Sequence, residues 1–408
     1  MPKIYPFKAL RPKAGWENRI TAKSTDFETH EELVEEVNWN LYSSHWLTKS
    51  NLVAEFELFA KTKSHQLGAA YLKRMKGHGY LLKDESDSFY LYKQDTASGN
   101  TFVGIMALCN LDDYDKHLIK RHEETQPIRE KHMANLFEVT GVMGEGVLLA
   151  HEYKDEIKEI YADIQKVKPN SDFVSVDGKR HRLWVISEYQ LVVKLSDLFA
   201  NIPEFYIADG HHRFASALRL SHKKKEERYH FCSTILIDET QLNIFPFHRW
   251  YNDPESSNPP DIENILETLS SQFKVYPILE KFYEPKEKGS FGMYIKGHWF
   301  KLVLKPQAET NHDVLSNLDV SILERLILKP LFGIVNSKTD HRLSYKSANS
   351  RMTEFTEKID DGTYQVGFTL FHVTFEEVKK IADAELTMPP KSTYIEPKLR
   401  NGMVIMEY

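Results

Sequence analysis

Apolar positions along the chain change their spacing several times, and each change marks an element. Leu33, Val37 and Leu41, then Leu52, Phe56 and Phe59, then Leu67 and Tyr71 recur at helical spacing in a Glu- and Leu-rich stretch, so residues 26–75 read as helical. Aromatic and β-branched runs follow, Phe89-Tyr90-Leu91-Tyr92 and Thr101-Phe102-Val103-Gly104-Ile105, and the turn-forming residues 95–100 between them predict a hairpin. A charged stretch over 154–166 reads as helix, Asp177-Gly178 as a turn, and 182–186 as a strand. Next comes the strand-type run Phe205-Tyr206-Ile207-Ala208. Beyond the polar Asp209-Gly210-His211-His212-Arg213, residues Phe214, Ala217, Leu218 and Ser221 fall at offsets zero, three, four and seven, which predicts a helix with one apolar stripe. Strands are expected at 231–237 and 242–247. The Pro- and Asn-rich stretch 252–260 then interrupts the periodicity as a linker, and an α/β pattern resumes beyond it. The expectation is an α/β to α+β protein in three parts: an N-terminal α/β elaboration (1–100), a core (101–250), and a C-terminal α/β region (251–408).

The turn at 209–213 carries the most chemistry. It sits where a strand meets the start of a helix, and a helix N-terminus offers unpaired N–H groups and a positive dipole end to an anion. Gly210 allows close backbone approach, Arg213 forks onto phosphate oxygens, and His211 and His212 add donors. A carboxylate beside a phosphate is repulsive unless it caps the helix, takes a proton or shares a divalent cation with it, so Asp209 is the candidate metal ligand. The bland alternative is a capping Asp beside two surface histidines.

A second cluster, Lys120-Arg121-His122-Glu123-Glu124-Thr125, sets two carboxylates beside a histidine and two cations, a setting for a general base. It lacks the second histidine of the HExxH zinc pattern, and by itself a solvated charge run explains it. Near the end, Met388-Pro389-Pro390-Lys391-Ser392-Thr393-Tyr394 is a proline-stiffened loop; Lys391, Ser392 and Thr393 carry groups that position phosphate, although a plain turn accounts for it equally.

Composition narrows the class of protein. With 41% hydrophobic and 27% charged residues over 408 positions, the chain has an ordinary globular make-up, and no run of about eighteen apolar residues is present to cross a membrane. The opening Met1–Phe7 lacks the apolar core of a signal peptide, so the expected location is the cytoplasm. A net charge of −6 argues against a broad nucleic-acid surface. Cys109 and Cys232 each lie in a strand-like apolar run, so buried thiols are expected rather than a disulfide. Oligomeric state leaves no sequence signal.

The strings Pro6–Pro12, Phe89–Gln94, Ile119–Thr125, His181–Trp184, Tyr206–Arg213 and Met388–Leu399, taken in order, resemble the bacterial and archaeal domain of unknown function 1015 family. The family's Pro-Pro-Tyr-Asp-like element is replaced here by Ala22-Lys23-Ser24-Thr25-Asp26. A more distant similarity joins it to the ParB/sulfiredoxin-like superfamily, whose ADP-dependent free-serine kinases place a His-Glu-Glu segment before a DGHHR turn. The resemblance implies a ParB/sulfiredoxin-like core, Glu123 or its neighbour Glu124 as base with His122 beside it, and Asp209 to Arg213 around Mg2+ and the phosphates of ADP or ATP. The implied activity is phosphoryl transfer from a nucleotide to a small hydroxyl compound such as free L-serine. The alternatives are a ParB-like nucleotide-binding protein, DNA-associated but without kinase activity, and a nucleotide or phosphoester hydrolase.

Overall fold

The aromatic hairpin expected near residues 89–105 lies inside the larger of two principal sheets. The computed structural model of the protein describes residues 1–24, 30–50, 64–255, 261–308, 313–349 and 351–408. In chain order the large sheet is built from β1 (Ile4–Tyr5), β2 (Phe89–Asp95), β3 (Thr101–Asn110), β4 (Ile119–Lys120), β5 (Val147–His151), β6 (Ser171–Val174), β7 (Arg180–Ile186), β8 (Phe205–Asp209) and β9 (Phe231–Asp238). Across the sheet they lie in the order β4-β8-β5-β9-β3-β2-β7-β6, with β1 against the end of β3. The sheet is mixed. β4 runs parallel to β8 and β5 parallel to β9, while the other pairs are antiparallel.

Burial explains the composition of these strands. All five residues of β5 are buried, as are Phe89 to Tyr92, so both faces of the sheet are covered and the sequence there reads as continuous apolar runs rather than alternation. Cys109 and Cys232 face one another across β3 and β9 as buried free thiols, as expected. Helix α1 (Pro127–Thr140) starts with proline at its first turn and stops at Gly141 in the left-handed region, φ 71°. Helix α2 (His211–Lys224) follows β8 directly, and Ser216, Ala217, Leu220 and Ser221 form its buried side.

The chain divides into two compact units, residues 1–242 with 397–408, and residues 243–396. The second has its own sheet of β10 (Phe247–Tyr251), β11 (Phe273–Ile278), β12 (Ser290–Ile295), β13 (His298–Leu304), β14 (Leu343–Ser347) and β15 (Val366–Leu370), all antiparallel, in the order β11-β13-β12-β15-β10-β14. Its core gathers around Phe291, Met293, Leu302, Phe368 and Leu323. Residues 397–408 return to the first unit, where Ile405 exchanges backbone hydrogen bonds with Leu10 at 2.9 Å and Met406–Glu407 pairs with Val142–Met143.

Three features differ from the pattern in the sequence. The helical stretch expected over 26–75 is broken after Trp39: the Asn40 amide donates to the Arg19 carbonyl at 2.7 Å and its oxygen accepts from Tyr42 N–H at 3.1 Å. These side-chain bonds turn the chain out of the helix after Asn40, and Leu41 is exposed. Leu52, Phe56 and Phe59 lie outside the described residues, as do Thr25 and Asp26. The change of unit falls at 242/243, ahead of the 252–260 stretch, because β10 already pairs within the second sheet; residues 256–260 lie outside the described residues. Strand β2 pairs with β3, so the sheet runs across the expected division at residue 100.

Candidate functional site

The site is made by one short parallel pairing. Ile119 and Lys120 align with Phe205 and Tyr206, so the chain leaving β4 and the chain leaving β8 emerge side by side. Residues 121–125 are thereby set beside 207–211, across 86 positions of sequence between Glu123 and Asp209. The register of β8 against β5 shifts between Ile207 and Asp209, an irregularity that re-aims the strand end just before the turn.

Gly210 is the N-cap of α2, with φ 93° and no side-chain cap. Asp209 therefore does not cap the helix. Its two oxygens instead accept from Arg213 and Lys398. Arg213 folds back over Gly210, where an added Cβ would lie 2.6 Å from Arg213 Nε, and its other arm pairs with Glu145. Asn401, fully buried, is within 3.2 and 3.1 Å of the two Glu145 oxygens when its amide is turned to donate. Two carboxylates and two cations thus meet at the start of α2. The first-turn N–H groups of the helix lack intrahelical acceptors, so the positive end of the dipole lies in the same place.

Beside this quartet, His122 and His211 pack edge to face with ring centroids 4.5 Å apart, and both are buried. Burial above all drives both imidazoles down to about 3, so both are neutral at pH 7. For His122 the neighbouring His211 adds to the fall while Glu123 and the Ile207 backbone oppose it; for His211, His212, Arg121 and Lys398 all add to it. The His122 backbone N–H points at His211 Nε2 at 3.5 Å, which leaves the His211 ring proton on its Nδ1. Nδ1 lies 3.4 Å from Glu123 Oε2. With the ring neutral, that contact is an N–H···O approach rather than an ion pair. Glu123 is half-buried and Glu124 exposed, so Glu123 is the acid the fold turns inward. His212 is half-buried, with burial and Arg129 lowering its pKa.

Two donor sets suit different metals. His122, Glu123 and His211 offer ligand atoms within 4.8 Å of one another, a nitrogen-rich set of the kind borderline transition metals prefer. Asp209 and Glu145 offer oxygen only, as magnesium prefers, and a cation there would compete with Lys398 and Arg213.

Lys391, Ser392 and Thr393 belong to the second unit. Within it, Lys391 Nζ lies 4.9 Å from the Phe247 ring centroid, its carbonyl accepts from Arg249 at 3.0 Å, Ser392 donates to the Pro389 carbonyl at 2.7 Å, and Thr393 is buried. Glu145, Lys398 and Asn401 were not singled out by the sequence. Glu145 had a signal, a charge flanked by Gly144 and Gly146 just before the apolar run Val147 to Ala150; Lys398 and Asn401 had none, since only the return of the C-terminal segment brings them here.

The chain belongs to the family described as "Protein of unknown function (DUF1015)", whose model matches residues 4–321. Comparison with curated proteins gave no match. Among solved structures the chain is similar to a free serine kinase in complex with AMP, at 12% identity over 74% of this chain and 90% of that one, TM-score 0.38. It is also similar to a conserved hypothetical protein from Pyrococcus furiosus (13%, 73% and 94%, TM-score 0.35) and to SbnI with C-terminal truncation from Staphylococcus aureus (12%, 73% and 85%, TM-score 0.36). Likeness at this level decides neither the fold nor the activity. No helix among the described residues is long and apolar enough to cross a membrane.

Proposed function

We propose that the first unit is a nucleotide-dependent phosphotransferase acting on the hydroxyl of a small molecule, with free L-serine the first acceptor to test and ADP or ATP as donor. The observation that carries this reading is the 3.4 Å approach of Glu123 to His211 at the N-terminus of a helix whose first turn also holds Arg213. A carboxylate held beside an anion-ready helix start is what phosphoryl transfer to an alcohol needs, since catalysis there is chiefly positioning and charge neutralisation. The acceptor oxygen forms a bond to the terminal phosphorus as the bridging P–O bond breaks. Glu123 takes the hydroxyl proton, and the nucleotide leaves one phosphate shorter.

Arg213, Lys398 and the first-turn N–H groups of α2 stabilise the charge on the transferring oxygens. In the absence of nucleotide Asp209 and Glu145 hold those cations in place; an incoming phosphate exchanges one set of anionic partners for another, so little reorganisation is required. Magnesium accompanying the nucleotide would find its protein oxygen donors in Asp209 and Glu145 and supply further charge neutralisation. A ParB/sulfiredoxin-like relationship of the sheet is part of the same proposal.

The test is a pair of substitutions that should fail differently. Glu123→Gln should lower turnover by about 10²–10⁴ with nucleotide affinity nearly intact, as loss of a general base does. Arg213→Ala should weaken ADP and ATP binding itself, by calorimetric titration. Normal phosphoserine formation by Glu123→Gln overturns the assignment of the base. Phosphate release without acceptor, and none transferred with it, favours the hydrolase; nucleotide binding with neither reaction favours the binding protein.

A further inference from the structure

A second face of α2 is not used by the phosphate-binding quartet. His211, Phe214, Ala215, Leu218, Arg219 and His222 fall at offsets zero, three, four, seven, eight and eleven, one continuous stripe, and they line a cavity of about 390 Å³. Arg213 points away from this stripe to Asp209 and Glu145. Ala215 and Leu218 are only half-buried, so the apolar spacing that predicts a core-facing helix also serves a cavity wall. The cavity shares His211 with the site just described, and so begins one side chain away from Glu123.

Its chemistry has three zones. Ile207 and His211 form the end next to Glu123. Tyr114 and Phe214, ring centroids 5.5 Å apart and tilted by 41°, form with Leu218 an apolar and aromatic middle. Arg121 stands over Tyr114 at 5.9 Å and makes no ion pair among the described residues, whereas Glu130 is engaged by Arg219 at 3.7 Å and by Thr125 Oγ1 at 2.6 Å. The one carboxylate in the wall is therefore already neutralised, and Arg121 leaves the cavity with an unbalanced positive charge.

We propose that this cavity is the acceptor subsite, and that it takes a hydroxy acid whose carbon skeleton is larger than that of serine. This rests on the phosphotransferase reading. The carboxylate pairs with Arg121, the apolar or aromatic body lies on Tyr114, Phe214 and Leu218, and the hydroxyl is delivered to the His211 end, where Glu123 takes its proton. A volume of about 390 Å³ falls in the range of roughly 300–1,000 Å³ typical of sites for much larger ligands than serine. Free serine fills it poorly and leaves the aromatic walls wet.

The test uses the full chain and two variants: Leu218→Trp, which fills the middle zone, and Arg121→Gln, which removes the charge of the wall. Binding of 3-phenylserine and of L-serine is measured by calorimetry, transfer by mass spectrometry of the phosphorylated product, and ADP and ATP affinity separately. Expected are tighter binding of 3-phenylserine than of L-serine, and a loss of about tenfold or more in 3-phenylserine affinity in each variant, in Arg121→Gln as the worth of one charged hydrogen bond and in Leu218→Trp because the indole occupies the space of the ligand's body. Nucleotide affinity should be unchanged in both.

The subsite is overturned if 3-phenylserine does not bind the wild-type protein, if both folded variants bind it normally, or if Leu218→Trp weakens the nucleotide instead, which would assign the cavity to the base. Binding that obeys these expectations without phosphoryl transfer keeps the cavity as a hydroxy-acid site and removes the phosphotransferase reading.

Discussion

Gly210 shows how much one residue can hold in place. Its φ of 93° is a conformation that side-chain-bearing residues adopt at a cost of about 1–2 kcal/mol, and its missing Cβ leaves the space that the Arg213 guanidinium fills. Gly210→Ala should therefore lower the melting temperature and, because Arg213 must shift, weaken ADP binding beyond what the loss of stability explains. Thermal melting and titration of the same preparation read both effects; an alanine variant that melts lower but binds ADP normally would separate the backbone from Arg213. Residue-scale chemistry was the most legible part of this sequence, because an Asp-Gly-His-His-Arg string between a strand run and a helical stripe carries its own geometry. The role of Asp209 was not legible. Whether it caps a helix or pairs with Lys398 depends on a segment 189 positions away.

At the scale of elements, the two-residue strand β4 decides whether the charge run at 120–125 is solvent-exposed or part of a site. Sequence spacing favoured a solvated run, since two residues of strand give no periodicity to read, and a parallel pairing leaves no turn to signal it. The hairpin of β2 and β3 was readable for the opposite reason: its partners are adjacent and its connection is turn-rich. Ile119 anchors the pairing and is buried to 1% exposure. Ile119→Ala removes a buried side chain at a cost of about 2–5 kcal/mol and loosens the element that delivers His122 and Glu123. The expected result is a fall in turnover larger than the fall in nucleotide affinity, at a temperature where the variant is still folded. Equal losses in both would mean that β4 supports the whole site rather than its base alone.

On the scale of the whole molecule, the two units should respond to acid in opposite directions through their most perturbed groups. In the first unit, burial pushes His122, His181 and His211 down to about 3, far below the usual histidine value near 6.5. Between those values the unfolded chain takes up protons that the folded unit refuses, so the stability these residues support is present above about pH 6.5 and is lost as pH falls; at pH 5 each histidine accounts for at most about 2 kcal/mol. In the second unit, burial raises the Asp319 carboxyl to about 7, with Glu377 adding to the rise while the Gly289 N–H, at 3.0 Å, and Lys288 oppose it. A carboxyl raised in this way is protonated when folded and ionised when unfolded. Its contribution is full below about pH 4 and is lost as pH rises through 7. His248, buried in the same unit and lowered by burial, works against Asp319, so the substitution Asp319→Asn isolates the carboxyl. Hydrogen exchange, corrected for intrinsic rates, should show protection in β5 and β8 falling from pH 7 to pH 5. Over the same interval the difference in β12 protection between wild type and Asp319→Asn should shift in favour of wild type. A difference in β12 that does not change with pH would mean that Asp319 keeps an ordinary carboxylate pKa despite its burial.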